Sequence, residues 1–92
     1  MLNMIKPITL IMTCSACPSQ WEGKLDDGRT FYCRYRWGSF YISVSDGPTD
    51  DYMEAVSNNY IMNVDYGEEL DGCMSTEEMK ELSKDHVDWS AV

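Results

Sequence analysis

The chain is short of the residues from which catalytic sites are commonly built. It has a single histidine, His86, and no glycine-rich phosphate-binding loop. A cysteine nucleophile would have to pair with that histidine, and the residues beside Cys33 and Cys73 do not indicate an activated thiolate. The many carboxylates are expected on a solvated surface, because acids make up so much of the chain. The sequence therefore predicts no enzyme activity and no small-molecule substrate.

Long apolar runs are also lacking, since none approaches the roughly 20 residues that span a bilayer. The apolar start of the chain is interrupted by Thr9, and no cleavage site of small residues follows it. Ile8, Leu10 and Met12 alternate there, which predicts a first β-strand rather than a secretory signal. We expect no membrane partner and a location in the reducing interior of a cell, where the four cysteines are free thiols by default.

Basic residues are scarce, with seven lysines and arginines against sixteen acids and a net charge of −9. The imbalance is confined to one half of the chain. Residues 1–46 carry four acids and five bases, whereas residues 47–92 carry twelve acids and two bases. Such asymmetry indicates an interaction surface, and the excess of acids disfavours direct nucleic-acid binding.

The 92 residues predict a single domain, residues 1–92, of the α+β class: an antiparallel β-meander of about four or five strands with two short helices. The meander is predicted over residues 20–45, with turns at Asp26-Asp27-Gly28 and at Gly38-Ser39. A further strand is predicted over residues 60–66, with Tyr60, Met62 and Val64 on one face.

Two helix starts are visible in the acidic half. Thr49 is predicted to cap a helix that buries Tyr52, Met53 and Val56. Ser75-Thr76-Glu77-Glu78 has the pattern of a capping box and predicts a helix of about ten residues. Residues 86–92 are predicted to form a loosely docked tail.

The segment Thr30 to Trp37 alternates strictly. One face carries Phe31, Cys33, Tyr35 and Trp37, which are predicted to join the core. The other carries Tyr32, Arg34 and Arg36, with Tyr41 on the same side of the next strand. Arginine forms bidentate contacts with phosphates or carboxylates, and tyrosine adds contact area at low entropic cost, so this face is a candidate binding surface. The alternatives are that a helix covers it, or that the arginines pair with the protein's own acids.

The acids of the second half form another candidate surface, in which we single out Asp50, Asp51, Glu68 and Glu69. A strongly negative field repels nucleic acid and attracts the basic grooves that normally hold it. The alternative is that these acids serve solubility alone.

The third candidate is a metal site. Cys14-x-x-Cys17 has the spacing of half a structural zinc site. The other two ligands would have to come from Cys33, Cys73 and His86, which stand alone in the sequence. We therefore expect no cofactor, with zinc on Cys14 and Cys17 as the alternative, and a redox-active disulfide as a further one.

Two strings, Cys14 to Gly23 and Asp27 to Gly38, are similar to strings in small phage and bacterial proteins. With its small size, acidity, N-terminal meander and lack of catalytic motifs, the chain resembles phage-encoded anti-defence proteins of the anti-CRISPR kind. The resemblance implies a partner: a host ribonucleoprotein CRISPR effector complex in the host cytoplasm.

The resemblance also implies a mechanism. Effector complexes hold target DNA in positively charged channels. The acids would occupy such a channel, while Arg34 and Arg36 would contact acidic patches or guide-RNA phosphates. A zinc-stabilised adaptor, or an acidic DNA mimic that inhibits another host nucleic-acid enzyme, are the alternatives.

Overall fold

The computed structural model describes residues 4–15, 19–55, 59–67 and 73–92. Within these ranges the protein is a five-stranded antiparallel sheet with one α-helix and one 3-10 helix, so it is mainly β with a small helical part. The elements are β1 (Ile11–Ser15), β2 (Ser19–Lys24), β3 (Thr30–Arg36), β4 (Ser39–Val44), a 3-10 helix (Tyr52–Glu54), β5 (Asn59–Asp65) and α1 (Thr76–Ser83).

The strands follow one another across the sheet in chain order, so each pairs with its sequence neighbour. This confirms the meander predicted for residues 20–45, including the turn at Asp26-Asp27-Gly28, where Gly28 has a φ of 91°. The inward face of β3 and β4 pairs Phe31 with Val44, and Tyr35 with Phe40. All four are buried, so one face of the sheet forms the core.

The α-helix packs on that core face, which we call the inner face. Its capping box is present: Ser75 Oγ accepts from the Glu78 amide at 3.1 Å, and Glu78 Oε1 accepts from the Ser75 amide at 3.4 Å. Met79 is fully buried, and Trp21 on β2 donates its indole N–H to Thr76 Oγ1 at 2.9 Å. The second predicted helix is confirmed and lies across the inner face.

The other predicted helix is wrong in type, cap and burial. It is a 3-10 helix of three residues, and its N-cap is Asp51, whose side chain accepts from the Met53 amide. Met53 is 73% exposed, so it forms no buried stripe. Thr49 instead accepts from the Asp51 amide in a turn of its own. The backbone amides of Asp51 and Met53 are thus satisfied by side chains two residues earlier, without a longer helix. Val56 lies outside the described residues.

The first strand begins later than predicted. It spans Ile11–Ser15, and Ile8 is 50% exposed. The preceding segment runs beside the end of β2, where the Ile8 amide donates to the Lys24 carbonyl at 2.8 Å and Pro7 bridges to Leu25. The residues before Ile11 therefore pack against the end of β2 and do not extend β1 as predicted.

The C-terminal residues are docked on the core, which corrects the prediction of a loose tail. Val87 is 1% exposed and bridges to Ile5, while the Trp89 indole N–H donates to Ser83 Oγ at 2.9 Å. The Trp89 ring also meets Phe31 edge-on, with 5.8 Å between ring centroids. The segment is held by apolar contacts with residues distant in sequence. It is too short to show the periodic apolar pattern from which such packing could have been predicted.

Candidate macromolecule-binding site

The outer face of the sheet is the face opposite α1. Its central row crosses four strands in register, from Gln20 on β2 to Arg34 on β3, Tyr41 on β4 and Asn63 on β5. Because side chains alternate along a strand, Tyr32 and Arg36 project to the same face as Arg34. The sequence thus correctly predicted that Tyr32, Arg34, Arg36 and Tyr41 share this face.

The 3-10 helix covers one end of the outer face. Ser43, the cross-strand partner of Tyr32, donates its hydroxyl to the Ala55 carbonyl, and Ala55 is fully buried. Tyr32 is consequently only 7% exposed. Burial raises the pKa of its hydroxyl, Tyr41 adds to the rise and Arg34 opposes it. Tyr32 was predicted as a direct contact; burial instead makes it a support for Tyr41, whose ring centroid lies 6.0 Å away.

The other end of the outer face carries a shallow concavity, which we call the arginine patch. Its lining residues are Arg34, Arg36, Trp37, Ser39 and Tyr41. The Arg36 guanidinium lies over the Trp37 ring, with 5.1 Å between Cζ and the ring centroid. At an exposed position such a cation–π contact contributes about 0.5–1 kcal/mol. Two cations and two aromatic side chains therefore converge on one surface depression.

The arginines of the patch are not neutralised by the acids that the structure describes. The salt bridges among those residues join Lys24 to Asp50, Arg29 to Asp27 and Lys84 to Glu81, all elsewhere. Asp65, the acid on the strand beside the patch, accepts from Ser39 Oγ at 2.9 Å.

Arg34 also has an unsatisfied polar atom. Its Nε is buried and makes no hydrogen bond within the described structure. A buried donor without an acceptor costs about 1–3 kcal/mol. The alternative in which the arginines pair with the protein's own acids is thus not supported by the described part of the chain.

Trp37 was predicted to point into the core at the end of β3, and this is wrong. Arg36 pairs with Ser39, so the two turn residues are Trp37 and Gly38 rather than Gly38 and Ser39. The predicted register would have placed Phe31 opposite Asp46 instead of Val44. The observed register is favoured because it keeps two buried apolar side chains next to each other in the core. Trp37 is left 57% exposed at the hairpin tip.

The turn holds Trp37 in a conformation that its side chain disfavours. Both turn residues have positive φ angles, 56° for Trp37 and 75° for Gly38, as a type I′ turn requires. Asparagine or glycine is the usual residue there, and the left-handed region costs other residues roughly 1–2 kcal/mol. Sequence reasoning missed Trp37 because register, not alternation, decides its side.

A row of tyrosines crosses the outer face, and its last member was unexpected. A bulge in β5 pairs Ile42 with Met62 but Ser43 with Tyr60, so Tyr60 turns to the outer face. The sequence had predicted that Tyr60 shares a face with Met62 and Val64, and the bulge makes this wrong for Tyr60. The Tyr60 ring now meets Tyr41 edge-on, with centroids 5.3 Å apart, and is 49% exposed.

The acidic residues are divided between the two sides of the sheet. Asp50 and Asp51 are exposed beside the 3-10 helix, on the outer-face side, and Asp50 pairs with Lys24. A second group lies exposed on or just after α1, on the inner-face side: Glu77, Glu78, Glu81 and Asp85. Glu68 and Glu69, which were predicted to bind a partner, lie outside the described residues.

The cysteines lie in different environments. Cys33 is fully buried, and burial strongly raises the pKa of its thiol, so it is a core residue and not an accessible metal ligand. Cys14 is half-buried on β1, and Cys17 lies outside the described residues. His86 is exposed. Within the ranges described, no three histidine, cysteine or acidic side chains are grouped so that they could hold a metal ion.

No described helix is long and apolar enough to cross a membrane. Comparison of the chain with models of protein families, with curated protein sequences and with solved structures found no match.

Proposed function

We propose that this protein is a non-catalytic inhibitor that binds a host CRISPR effector complex and blocks its use of target DNA. The observation that carries the binding role is the arginine patch: two guanidiniums that no described acid neutralises, in a chain of net charge −9. A protein this acidic has ample carboxylates to pair with its own arginines. Two arginines that remain beside the exposed Trp37 ring and the half-buried Tyr41 ring favour use by an external partner.

The acids support the second half of the proposal. An effector complex holds DNA in a positively charged channel, and exposed carboxylates are attracted to such a channel while they repel DNA itself. The acids on and after α1 lie on the face opposite the arginine patch. The chain would therefore present carboxylates to the channel and the patch to a second, negatively charged surface of the same complex.

Affinity capture tests the proposal directly. Tagged full-length protein is mixed with a lysate that contains an assembled effector complex, and the retained proteins are identified by mass spectrometry. We expect effector subunits in stoichiometric amounts, and we expect excess target DNA to compete with their retention. Recovery of a different DNA-handling enzyme would contradict the CRISPR assignment and leave an acidic DNA mimic as the function. Recovery of no partner would contradict both.

One contact favours a zinc-stabilised adaptor as a second candidate. The Met74 amide donates to Ser19 Oγ at 2.9 Å, and Ser19 pairs with Ser15 at the end of β1 and β2. The backbone beside Cys73 is thereby held close to the strand that carries Cys14. Metal analysis of protein purified under reducing conditions separates the candidates, because the adaptor requires one equivalent of zinc that is lost in a Cys73→Ser variant.

A further inference from the structure

The hairpin tip between β3 and β4 carries a side chain that the fold itself does not favour. Trp37 is mostly exposed, so it adds little to the core, and its positive φ suits glycine or asparagine better. Residues held in an unfavourable backbone conformation cluster at active sites and at ligand-binding sites. The described contact of the Trp37 ring is with the Arg36 guanidinium, which belongs to the arginine patch.

The patch offers two kinds of contact next to each other. The side chains of Arg34 and Arg36 leave the same strand on the same face two residues apart, which separates their Cα atoms by roughly 7 Å. Trp37 and Tyr41 border them with apolar ring surface. An occupant that matches this arrangement has a planar anionic group adjacent to an apolar group.

We propose that the arginine patch binds a short acidic segment of a protein, with a carboxylate held by Arg34 and Arg36 and a neighbouring apolar side chain packed on Trp37 and Tyr41. The inference rests on the proposed function and deepens it, since it assigns this contact to a protein subunit of the partner rather than to its guide RNA.

Charge favours a protein segment over a nucleic acid. Nucleic-acid binding depends on the neutralisation of several phosphates, and the patch provides two cations. Glu22 on β2 and Asp65 on β5 lie on the flanking strands of the same face. A chain of net charge −9 repels a long polyanion more than it repels one or two carboxylates.

The bidentate geometry of arginine suits the proposed ligand. A guanidinium donates two parallel N–H bonds to one carboxylate, and these charge-assisted bonds are among the stronger hydrogen bonds in proteins. Aromatic and arginine side chains are also enriched among the residues that dominate protein–protein binding energies. Trp37 and the two arginines together match that composition.

Nuclear magnetic resonance titration of the full-length, ¹⁵N-labelled protein tests the inference. The probes are a blocked hexapeptide of alternating leucine and glutamate, its glutamine counterpart, and an eight-nucleotide polyuridine RNA. We expect saturable shifts of the Trp37 indole N–H and of the Arg34 and Arg36 Nε–H signals with the glutamate peptide. Binding of the glutamine peptide should be at least about tenfold weaker, which is the loss of one charge-assisted contact.

Two variants separate the site from the fold. Arg34→Gln with Arg36→Gln should weaken glutamate-peptide binding at least about tenfold, because it removes both cations but keeps polar side chains at both positions. Trp37→Asn should weaken it as well, while its melting temperature stays at or above that of the parent protein, since asparagine tolerates the left-handed region. If Trp37 served stability instead, Trp37→Asn would lower the melting temperature and leave peptide binding unchanged.

The outcomes distinguish this inference from the function on which it rests. Saturation of the same signals by polyuridine, at equal or lower concentration than the peptide, would overturn the assignment to a protein segment. An absence of saturable shifts with the glutamate peptide would overturn it too, even if effector subunits are still captured. Peptide binding without capture of effector subunits would instead overturn the proposed function and leave the patch chemistry standing.

Discussion

Simultaneous replacement of Arg34 and Arg36 by glutamate should lower the affinity for the effector complex by about a hundredfold or more. Truncation of a residue that dominates a binding interface costs about 2 kcal/mol or more, which is close to thirtyfold in affinity for each such residue. Reversal adds repulsion to the loss of attraction. The measurement is the dissociation constant of the purified complex at two salt concentrations, since charge-based binding weakens as salt is added.

The matched control is Lys6→Glu with Lys84→Glu. Both lysines are exposed, and the double variant changes the net charge by the same amount away from the arginine patch. We expect no loss of affinity, because Lys84 lies beside Glu81 among the acids proposed to face the channel, and a further acid there adds to the attraction. Equal losses in both double variants would mean that net charge, not the patch, governs binding. Melting curves of both proteins check that the fold is intact, and the largely exposed Arg36 should tolerate the change.

Gly23→Ala should destabilise the protein by about 3 kcal/mol, at the upper end of the cost of overpacking, which lowers the melting temperature by about 12–24 °C. A Cβ at Gly23 would lie 2.1 Å from the Thr9 carbonyl oxygen and 2.5 Å from the Phe31 ring. The chain before β1 cannot simply move aside, because the Thr9 hydroxyl accepts from the Lys24 amide at 2.8 Å. Thermal unfolding followed by circular dichroism measures the effect.

Gly47→Ala is the control for that substitution. No atom lies within 4 Å of a Cβ built at Gly47, and its φ is not in the left-handed region. Its melting temperature should therefore change little, or rise slightly because alanine has fewer unfolded conformations than glycine. If Gly23→Ala melted within 3 °C of the parent, about the shift that half a kcal/mol produces, the close approach at Gly23 would not be a constraint on folding.

Local chemistry was sufficient to predict some elements from sequence. The capping box at Ser75 and Glu78 contains its own signal, because the two residues satisfy each other's backbone amides within one turn. Strict alternation in β3 was equally informative, since a period of two places Phe31 and Cys33 on one face and Arg34 on the other. These are interactions between residues a few positions apart.

The errors share a different cause. Trp37 was predicted to point into the core, and Tyr60 was predicted to share a face with Met62. Both predictions failed because a hairpin register and a bulge are chosen by the packing of whole strands. A shift of register or a bulge moves a side chain to the other face of the sheet, although the alternation of apolar and polar residues in the sequence stays the same. A glycine within an alternating strand, such as Gly23, could have signalled the close approach of another backbone.

The sequence by itself determined the meander, the capped helix and the common face of Tyr32, Arg34, Arg36 and Tyr41, because alternation and capping act within short stretches of chain. The tertiary structure alone decided which residues of that face are accessible and which further residues lie beside them. The 3-10 helix covers Tyr32, the hairpin register exposes Trp37, and the β5 bulge adds Tyr60 beside Tyr41. Accessibility depends on contacts between segments distant in sequence, so composition and periodicity contain no record of it.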